Sequence, residues 1–103
     1  MDFINKVEIK GIVGSVKQSL VGHYMAVRFS VCTNHIYSKD SKGIVETTWF
    51  PCYAIDIKNM EKVEKGKLAH ITGRLKSTRY MTNEGTEQTI YEIICQTIEV
   101  SGI

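Results

Sequence analysis

A basic segment beyond the middle of the chain has residue types suited to binding a polyanion. Residues 65–83 contain five basic residues and no acidic one. In an extended strand, side chains alternate between two faces. Alternation would place Ala69, Ile71, Gly73 and Leu75 on one face, and His70, Thr72, Arg74, Lys76, Thr78 and Tyr80 on the other. The second face suits single-stranded nucleic acid, an extended polyanion that carries flat bases.

A second set of rings lies in an earlier apolar run. Alternation there places Trp49, Pro51, Tyr53 and Ile55 on one face, and Phe50, Cys52 and Ala54 on the other. Both faces are apolar, which is more than one barrel interior requires, so one of them must meet a base, a partner subunit or solvent. The small residues Cys52 and Ala54 favour the interior, although a core position for Trp49 remains an alternative.

We predict that a set of rings, cations and histidines near the basic and polar loops contacts nucleic acid. Rings would stack on bases, each contributing about 1–3 kcal/mol, and cations would neutralise phosphates, so sequence preference should be weak. A solvated surface remains the alternative for any single cation. The predicted contacts are Trp49, Tyr80, Tyr37, Tyr53, Arg28, His35, Lys39, Lys42, His70, Arg74, Lys76 and Arg79.

Composition argues against several other classes of protein. The 103 residues suit one domain, 1–103, and 43% hydrophobic residues suffice for a packed core. The three cysteines form no Cys-x-x-Cys pair and the three histidines have no metal-ligand spacing, so we expect no metal or other cofactor. No catalytic motif is present, which predicts a protein that is not an enzyme. Without a signal peptide or a long apolar run, we expect a cytoplasmic protein with no membrane partner.

The order of elements predicts an all-β fold. Strands are expected over residues 3–13, 24–33, 44–55, 67–80 and 86–100, with a polar connection over 15–23, a turn over 38–43 and a helix over 56–65 capped by Asp56. Three strands, one short helix and two strands are typical of the OB-fold, a five-stranded Greek-key barrel. The fourth strand exceeds the usual length, so a hairpin around residues 77–89 should project from the barrel, with a shorter projection near 38–43.

Several segments in the same order are similar to a known family. They are Asn5-Lys6-Val7 with Gly11 and Gly14, residues 26–33, residues 46–49, Lys65-Gly66 and residues 71–75. On these residues the chain resembles the bacterial single-stranded DNA-binding protein family. The resemblance covers essentially the whole chain and implies an OB-fold, homotetramers or dimers, and a role in DNA replication, repair and recombination.

The resemblance also implies which residues stack on bases. The family's stacking tryptophans fall on Tyr37, Trp49 and Tyr80, and a further ligand-side aromatic falls on Ile55. One stacking ring is therefore lost and two are smaller, which implies weaker stacking. The family usually continues into a flexible tail with an acidic tip that recruits partner proteins, whereas this sequence ends at Ser101-Gly102-Ile103. Either the sequence is cut short or the protein lacks that recruiting function.

Two alternatives remain open at this level. A chain of this length without the tail also resembles primosomal replication protein N, a dimeric relative that binds single strands and helps restart replication. The apolar face of Trp49 could instead dock another protein, which would make the domain an interaction module.

Overall fold

The structure is a computed structural model that describes residues 2–102. Of the sequence end Ser101-Gly102-Ile103, the residue Ile103 lies outside the described residues. Five long strands account for most of the fold. They are β1 (Val7–Val21), β2 (Tyr24–Lys39), β3 (Lys42–Ile55), β4 (Leu68–Met81) and β5 (Glu87–Ser101). One 3-10 turn, Met60–Lys62, lies between β3 and β4.

The five strands close into a barrel in the order β1-β2-β3-β5-β4. Antiparallel pairing joins β1 to both β2 and β4, joins β2 to β3, and joins β4 to β5. A short parallel contact, with Cys52 opposite Ile93 and Tyr53 opposite Ile94, closes the barrel between β3 and β5. This topology confirms the predicted five-stranded Greek-key OB-fold barrel.

Alternate residues of every strand fill the barrel interior. Cys52 and Ala54 are buried, and Phe50 packs against the same core, so this face of β3 points inward as predicted. Successive side chains of a strand point to opposite faces, so the residues next to these buried positions point out of the barrel. The buried core consists of Ile9, Val13, Val27, Phe29, Val31, Cys52, Ala54, Met60, Val63, Ala69, Ile71, Ile93, Cys95 and Ile98.

The first strand differs from the prediction at both ends. It begins at Val7 and continues to Val21, through the segment expected to be a polar connection. The register with β2 shifts between Val13 and Val16, which marks a β-bulge, and pairing then resumes as far as Val21 opposite Tyr24. The polar residues of this segment are paired with β2, a contact that composition alone does not indicate.

The segment over residues 56–65 is not the predicted helix. Asp56 and Asn59 both have left-handed backbones, with φ of 50° and 72°, and these interrupt any α-helical run. The Asn59 side chain donates to the carbonyl oxygen of Ile98 at 2.8 Å and ties the segment to β5. Met60 and Val63 are buried all the same. These two residues are spaced as on a helix face, but they are buried because they close one end of the barrel.

Two hairpins extend beyond the barrel core. The β4–β5 pairing continues to Met81 opposite Glu87, which confirms the predicted hairpin around residues 77–89. The β2–β3 pairing continues without a bulge to Lys39 opposite Lys42, so the projection expected to be short is a long ribbon. Positive φ angles at Asp40 and Ser41, 53° and 63°, form the tight two-residue turn at its tip.

Candidate nucleic-acid interface

One row of directly opposed residues crosses all five strands on the outside of the barrel. Residues opposite each other on neighbouring strands share a face. These residues point outward because their neighbours along the strands, such as Val27 and Ala54, are buried. The row consists of Lys17, Arg28, Tyr53, Ile94 and Arg74. Three strands therefore contribute a cation to it, and the central strand contributes a ring.

The middle of this row is held by contacts to Arg28. The Arg28 guanidinium lies over the Tyr53 ring, 4.4 Å from its centroid. Its Nε is also 3.6 Å from a carboxylate oxygen of Glu92, whose side chain is mostly buried. The cation–π contact and the ion pair fix the ring and the guanidinium together. Glu92 was not predicted, because only the pairing of β3 with β5 brings its carboxylate to this face.

Trp49 lies on the same outer face as Tyr53, at the end nearer the β2–β3 hairpin. It is opposite Cys32, and 56% of its surface is exposed. Its ring lies so close to Gly14 that a Cβ built there would be 2.4 Å from Cζ3. Gly14 belongs to the bulge in β1, and the absence of a side chain there gives the ring its place. Of the residues that the resemblance in sequence implies as stacking positions, Trp49 and Ile55 share this face with Tyr53.

The rings and cations of the distal β2–β3 ribbon form a separate group. Alternation without a bulge puts Tyr37 and His35 on the ribbon face opposite to Trp49. Their rings stack on each other, with centroids 5.8 Å apart and planes at 29°. Lys39 and Lys42, opposed at the tip, belong to the same face as Tyr37. A nucleic-acid strand that contacts both Trp49 and the Tyr37 group must pass around an edge of the β2–β3 ribbon.

The β4–β5 hairpin also divides its predicted residues between two faces. Arg74, Lys76 and Tyr80 share the face that continues the row on the barrel. The Tyr80 hydroxyl donates to Oε1 of Gln88 at 2.6 Å, which holds the ring against β5. Arg79 lies on the other face, where its guanidinium is 3.4 Å from Glu87.

His70 lies apart from the other predicted residues. Its Nε2 is 2.7 Å from a carboxylate oxygen of Glu8. On its other side, β5 places Glu99 directly opposite. Lys10 of β1 is also directly opposite His70, so charges of both signs surround this position, which lies four residues along β4 from Arg74 of the row.

Sequence reasoning missed Lys17 because the residue fell in the segment expected to be a connection. Pairing opposite Arg28 places it at one end of the row. The available signal was the charge of Lys17 and its position three residues after Gly14, but the register of β1 on β2 was needed to use it.

The cysteines belong to the interior rather than to the outer face. Cys52 and Cys95 are buried and Cys32 is half-buried, and all three are reduced. Hydrogen bonding with the Cys95 thiol, and then burial, raise the pKa of the Cys52 thiol. Cys52 is thus held as a neutral thiol, which is a poor nucleophile and metal ligand. Residues 2–102 contain no cluster of three or more His, Cys, Asp or Glu side chains that could hold a metal ion.

A closed barrel with rings and cations on one outer face is typical of OB-fold proteins that bind nucleic-acid strands. The sequence profile of the Single-strand binding protein family matches residues 4–101. The chain therefore belongs to the single-strand binding protein family. A comparison with curated protein sequences found no match.

The chain is also similar in fold to several solved structures. The Plasmodium falciparum SSB in complex with ssDNA is 22% identical, with a TM-score of 0.83 over 97% of this chain and 95% of that chain. The small single-stranded DNA-binding protein from Streptomyces coelicolor is 19% identical, with a TM-score of 0.73 over 98% and 96%. A deletion mutant of the single-stranded DNA binding protein from Thermus aquaticus is 12% identical, with a TM-score of 0.78 over 95% of this chain and 50% of that chain. At these identities the likeness supports the fold.

Proposed function

We propose that this protein binds single-stranded DNA with little sequence preference and acts in DNA replication, repair and recombination. The observation that carries the proposal is the outer row of Lys17, Arg28, Tyr53 and Arg74, with Trp49 half exposed on the same face. Rings separated by cations match a strand whose bases and phosphates alternate along its length. Membership of the single-strand binding protein family supports the same function.

The cations on this face divide into two kinds. Arg28 is engaged with Tyr53 and Glu92, so its main effect is to position the Tyr53 ring. None of the ion pairs among residues 2–102 involves Lys17, Arg74 or Lys76. These three side chains are available for phosphates, and each contact should release counterions on binding. The bases would stack on Trp49 and Tyr53, and further along on Tyr80.

The distal ribbon group extends the proposed surface. Tyr37, stacked on His35, offers a second ring near Lys39 and Lys42. Because this group lies on the other face of the ribbon, a strand that reaches it must wrap around the hairpin. Wrapping of that kind predicts a site size larger than the outer row alone would give.

We also propose that the protein is a homo-oligomer, either a dimer or a tetramer. Ile4, Leu75 and Tyr91 are exposed and line one depression beside the barrel. The side chain of Asn5 forms hydrogen bonds to both the N–H and the carbonyl of Leu75, at 2.9 Å and 2.7 Å, which holds this surface in place. An ordered apolar surface of this kind suits burial against another copy of the chain.

The remaining expectations fit the same proposal. The single-strand binding protein family is a non-catalytic DNA-binding family. Residues 2–102 include no helix with the length and hydropathy that crossing a bilayer requires. We propose a cytoplasmic, non-enzymatic protein with one domain over residues 1–103, in which restart of replication in the manner of primosomal replication protein N is the alternative role.

The test is a titration with a thymine oligonucleotide that follows the fluorescence of Trp49, the single tryptophan of the chain. Stacking should quench the fluorescence, and affinity should fall as salt rises, with a logarithmic slope of about −0.7 per phosphate contact. Sedimentation of the same samples should give the mass of a dimer or tetramer. Absence of quenching together with an affinity independent of salt would reject the proposal and favour a protein-interaction module.

A further inference from the structure

An open surface cavity of about 530 Å³ lies beside Trp49 on the outer face. Its lining combines one ring, one amine and two hydroxyls, from Trp49, Lys65, Ser15 and Ser30, together with Gly14. Of these residues, only Trp49 belongs to the predicted contact set. The other three polar side chains come from three different parts of the chain, and the fold brings them to one place.

The bulge in β1 builds this cavity. The register shift between Val13 and Val16 sets both Gly14 and Ser15 against the single residue Ser30. The backbone N–H of Ser15 donates to Oγ of Ser30 at 2.9 Å. A bulge re-aims the side chains of its extra residues, and here it directs the Ser15 hydroxyl to the Ser30 hydroxyl, 3.0 Å away.

Lys65 is held at the cavity by its neighbours in the chain. The N–H of Gly66 donates to the carbonyl of Val13 at 2.8 Å, and the N–H of Val13 donates to the carbonyl of Lys67 at 2.9 Å. These two hydrogen bonds fasten the loop after the 3-10 turn to β1, next to the bulge. The Lys65 amine makes none of the ion pairs found among residues 2–102.

The two hydroxyls leave one hydrogen-bond donor for a ligand. Ser15 and Ser30 have two hydroxyl hydrogens between them. One of these hydrogens is used in the bond that joins the two oxygens. Whichever serine donates in that bond, the other retains its hydrogen. The cavity therefore offers one O–H donor beside the Trp49 ring and one ammonium group at Lys65.

We propose that this cavity holds one nucleotide of the bound strand, a subsite that rests on the proposed single-strand binding. The base stacks on Trp49, a carbonyl oxygen of the base accepts the spare hydroxyl hydrogen of Ser15 or Ser30, and the phosphate contacts Lys65. Thymine, cytosine and guanine have a carbonyl oxygen that projects from the ring edge, whereas the acceptors of adenine are nitrogens within the ring, which a hydroxyl placed for a carbonyl oxygen reaches less well. The subsite thus gives an otherwise tolerant binder a modest preference against adenine.

The hydroxyls are tested with the double substitution Ser15→Ala and Ser30→Ala. Affinities of the unmodified protein and the variant are measured for thymine and adenine oligonucleotides of equal length. The ratio of thymine to adenine affinity should fall by about 2- to 10-fold in the variant, the range of one net hydrogen bond. Ser101→Ala, at the exposed end of β5 and away from the cavity, is the matched control and should leave the ratio unchanged. An unchanged ratio in the double variant would overturn the base contact.

The phosphate contact is tested with Lys65→Met against Lys62→Met, a neighbouring lysine of the 3-10 turn that does not line the cavity. Loss of one phosphate contact should reduce the logarithmic salt slope by about 0.7. The Lys62 variant should retain the slope of the unmodified protein. Equal slopes for the two variants would overturn the contact, and circular dichroism of each variant verifies that the fold is intact.

The two proposals fail in different ways. If the unmodified protein binds and quenches Trp49 fluorescence while neither the base ratio nor the salt slope responds to these substitutions, the subsite is overturned and single-strand binding stands. If the unmodified protein does not bind an oligonucleotide at all, both are overturned. A lower ratio in the serine variant together with a lower slope in the Lys65 variant supports the subsite.

Discussion

The barrel portion of β3 and the projecting β4–β5 hairpin present their rings on very different supports. On β3, Trp49 and Tyr53 alternate with residues buried in the barrel, and Trp49 rests over Gly14. On the β4–β5 hairpin, Tyr80 lies beyond the core and its hydroxyl is bonded to Gln88. One ring set is backed by packed interior, and the other is carried by a two-stranded ribbon.

This difference suggests a division of labour between the two regions. A ring already fixed by packing loses little conformational freedom when a base stacks on it, so more of the stacking energy appears as affinity. Side chains on a projecting ribbon are held less firmly by packing. Their charges nevertheless attract phosphates over a longer distance than stacking contacts do. We therefore expect β3 to supply most of the stacking and the β4–β5 hairpin to supply much of the salt dependence.

The largest expected effect is that of Trp49→Ala, which should weaken binding of a thymine oligonucleotide by about 1–3 kcal/mol. Because the change removes the fluorescent reporter, binding is followed by the anisotropy of a labelled oligonucleotide. Trp49→Phe, which keeps a ring, should lose much less. A loss no greater than that of Tyr80→Ala would contradict the assignment of stacking to β3.

The next effect comes from Gly14→Ala, which alters the support of the Trp49 ring without substituting Trp49 itself. The new methyl group would lie 2.4 Å from Cζ3 of Trp49, so the ring must move. Binding should weaken, by up to the loss seen for Trp49→Ala, and the tryptophan emission should shift. The matched control is Gly43→Ala, where an added Cβ would meet nothing within 4 Å. Equal behaviour of the two variants would show that the position of the ring does not depend on Gly14.

A smaller effect on affinity, but a clear one on salt dependence, is expected from Arg74→Ser combined with Lys76→Ser. Loss of two phosphate contacts should reduce the logarithmic salt slope by about 1.4. Arg79→Ser is the control, because Arg79 lies on the other face and pairs with Glu87. If Arg79→Ser reduced the salt slope by half as much as the double variant, the DNA strand would have to contact both faces of the hairpin.

The smallest expected effect is that of Tyr80→Ala, about 1 kcal/mol or less, near the lower end of the range for a stacking ring. Tyr80→Phe removes the hydroxyl that bonds to Gln88 and keeps the ring. If stacking is the main contribution, the phenylalanine variant should bind nearly as well as the unmodified protein in a fluorescence titration. A full loss in Tyr80→Phe would instead mean that the hydrogen bond to Gln88 positions the ring.

The sequence by itself determined the fold class, the number of strands and the inner and outer faces of β3, although not the extent of β1. Alternation is a local property, because a strand with one buried face has an apolar residue at every second position. That rule placed Cys52 and Ala54 in the core and Trp49 outside it, as the structure confirms. The long fourth strand and the turn signal near Gly85 likewise sufficed for the projecting hairpin.

The spacing of Ile57, Met60 and Val63 was misleading because burial at one end of a barrel and burial on a helix face can give the same pattern. Only the tertiary structure shows the left-handed backbone at Asn59 and its side-chain bond to β5, which together exclude a helix over residues 56–65. Local propensity is a weak guide where a distant strand supplies the hydrogen-bond partner.

The arrangement of the candidate site was decided by contacts between residues far apart in the chain. Pairing of β3 with β5 brought Glu92 to Arg28, and the bulge in β1 brought Ser15 and Gly14 to Ser30 and Trp49. Strand register and barrel closure depend on the packing of the whole core, so no window of sequence contains them. The chain specified which residues face outward, and the closed barrel decided which of them meet.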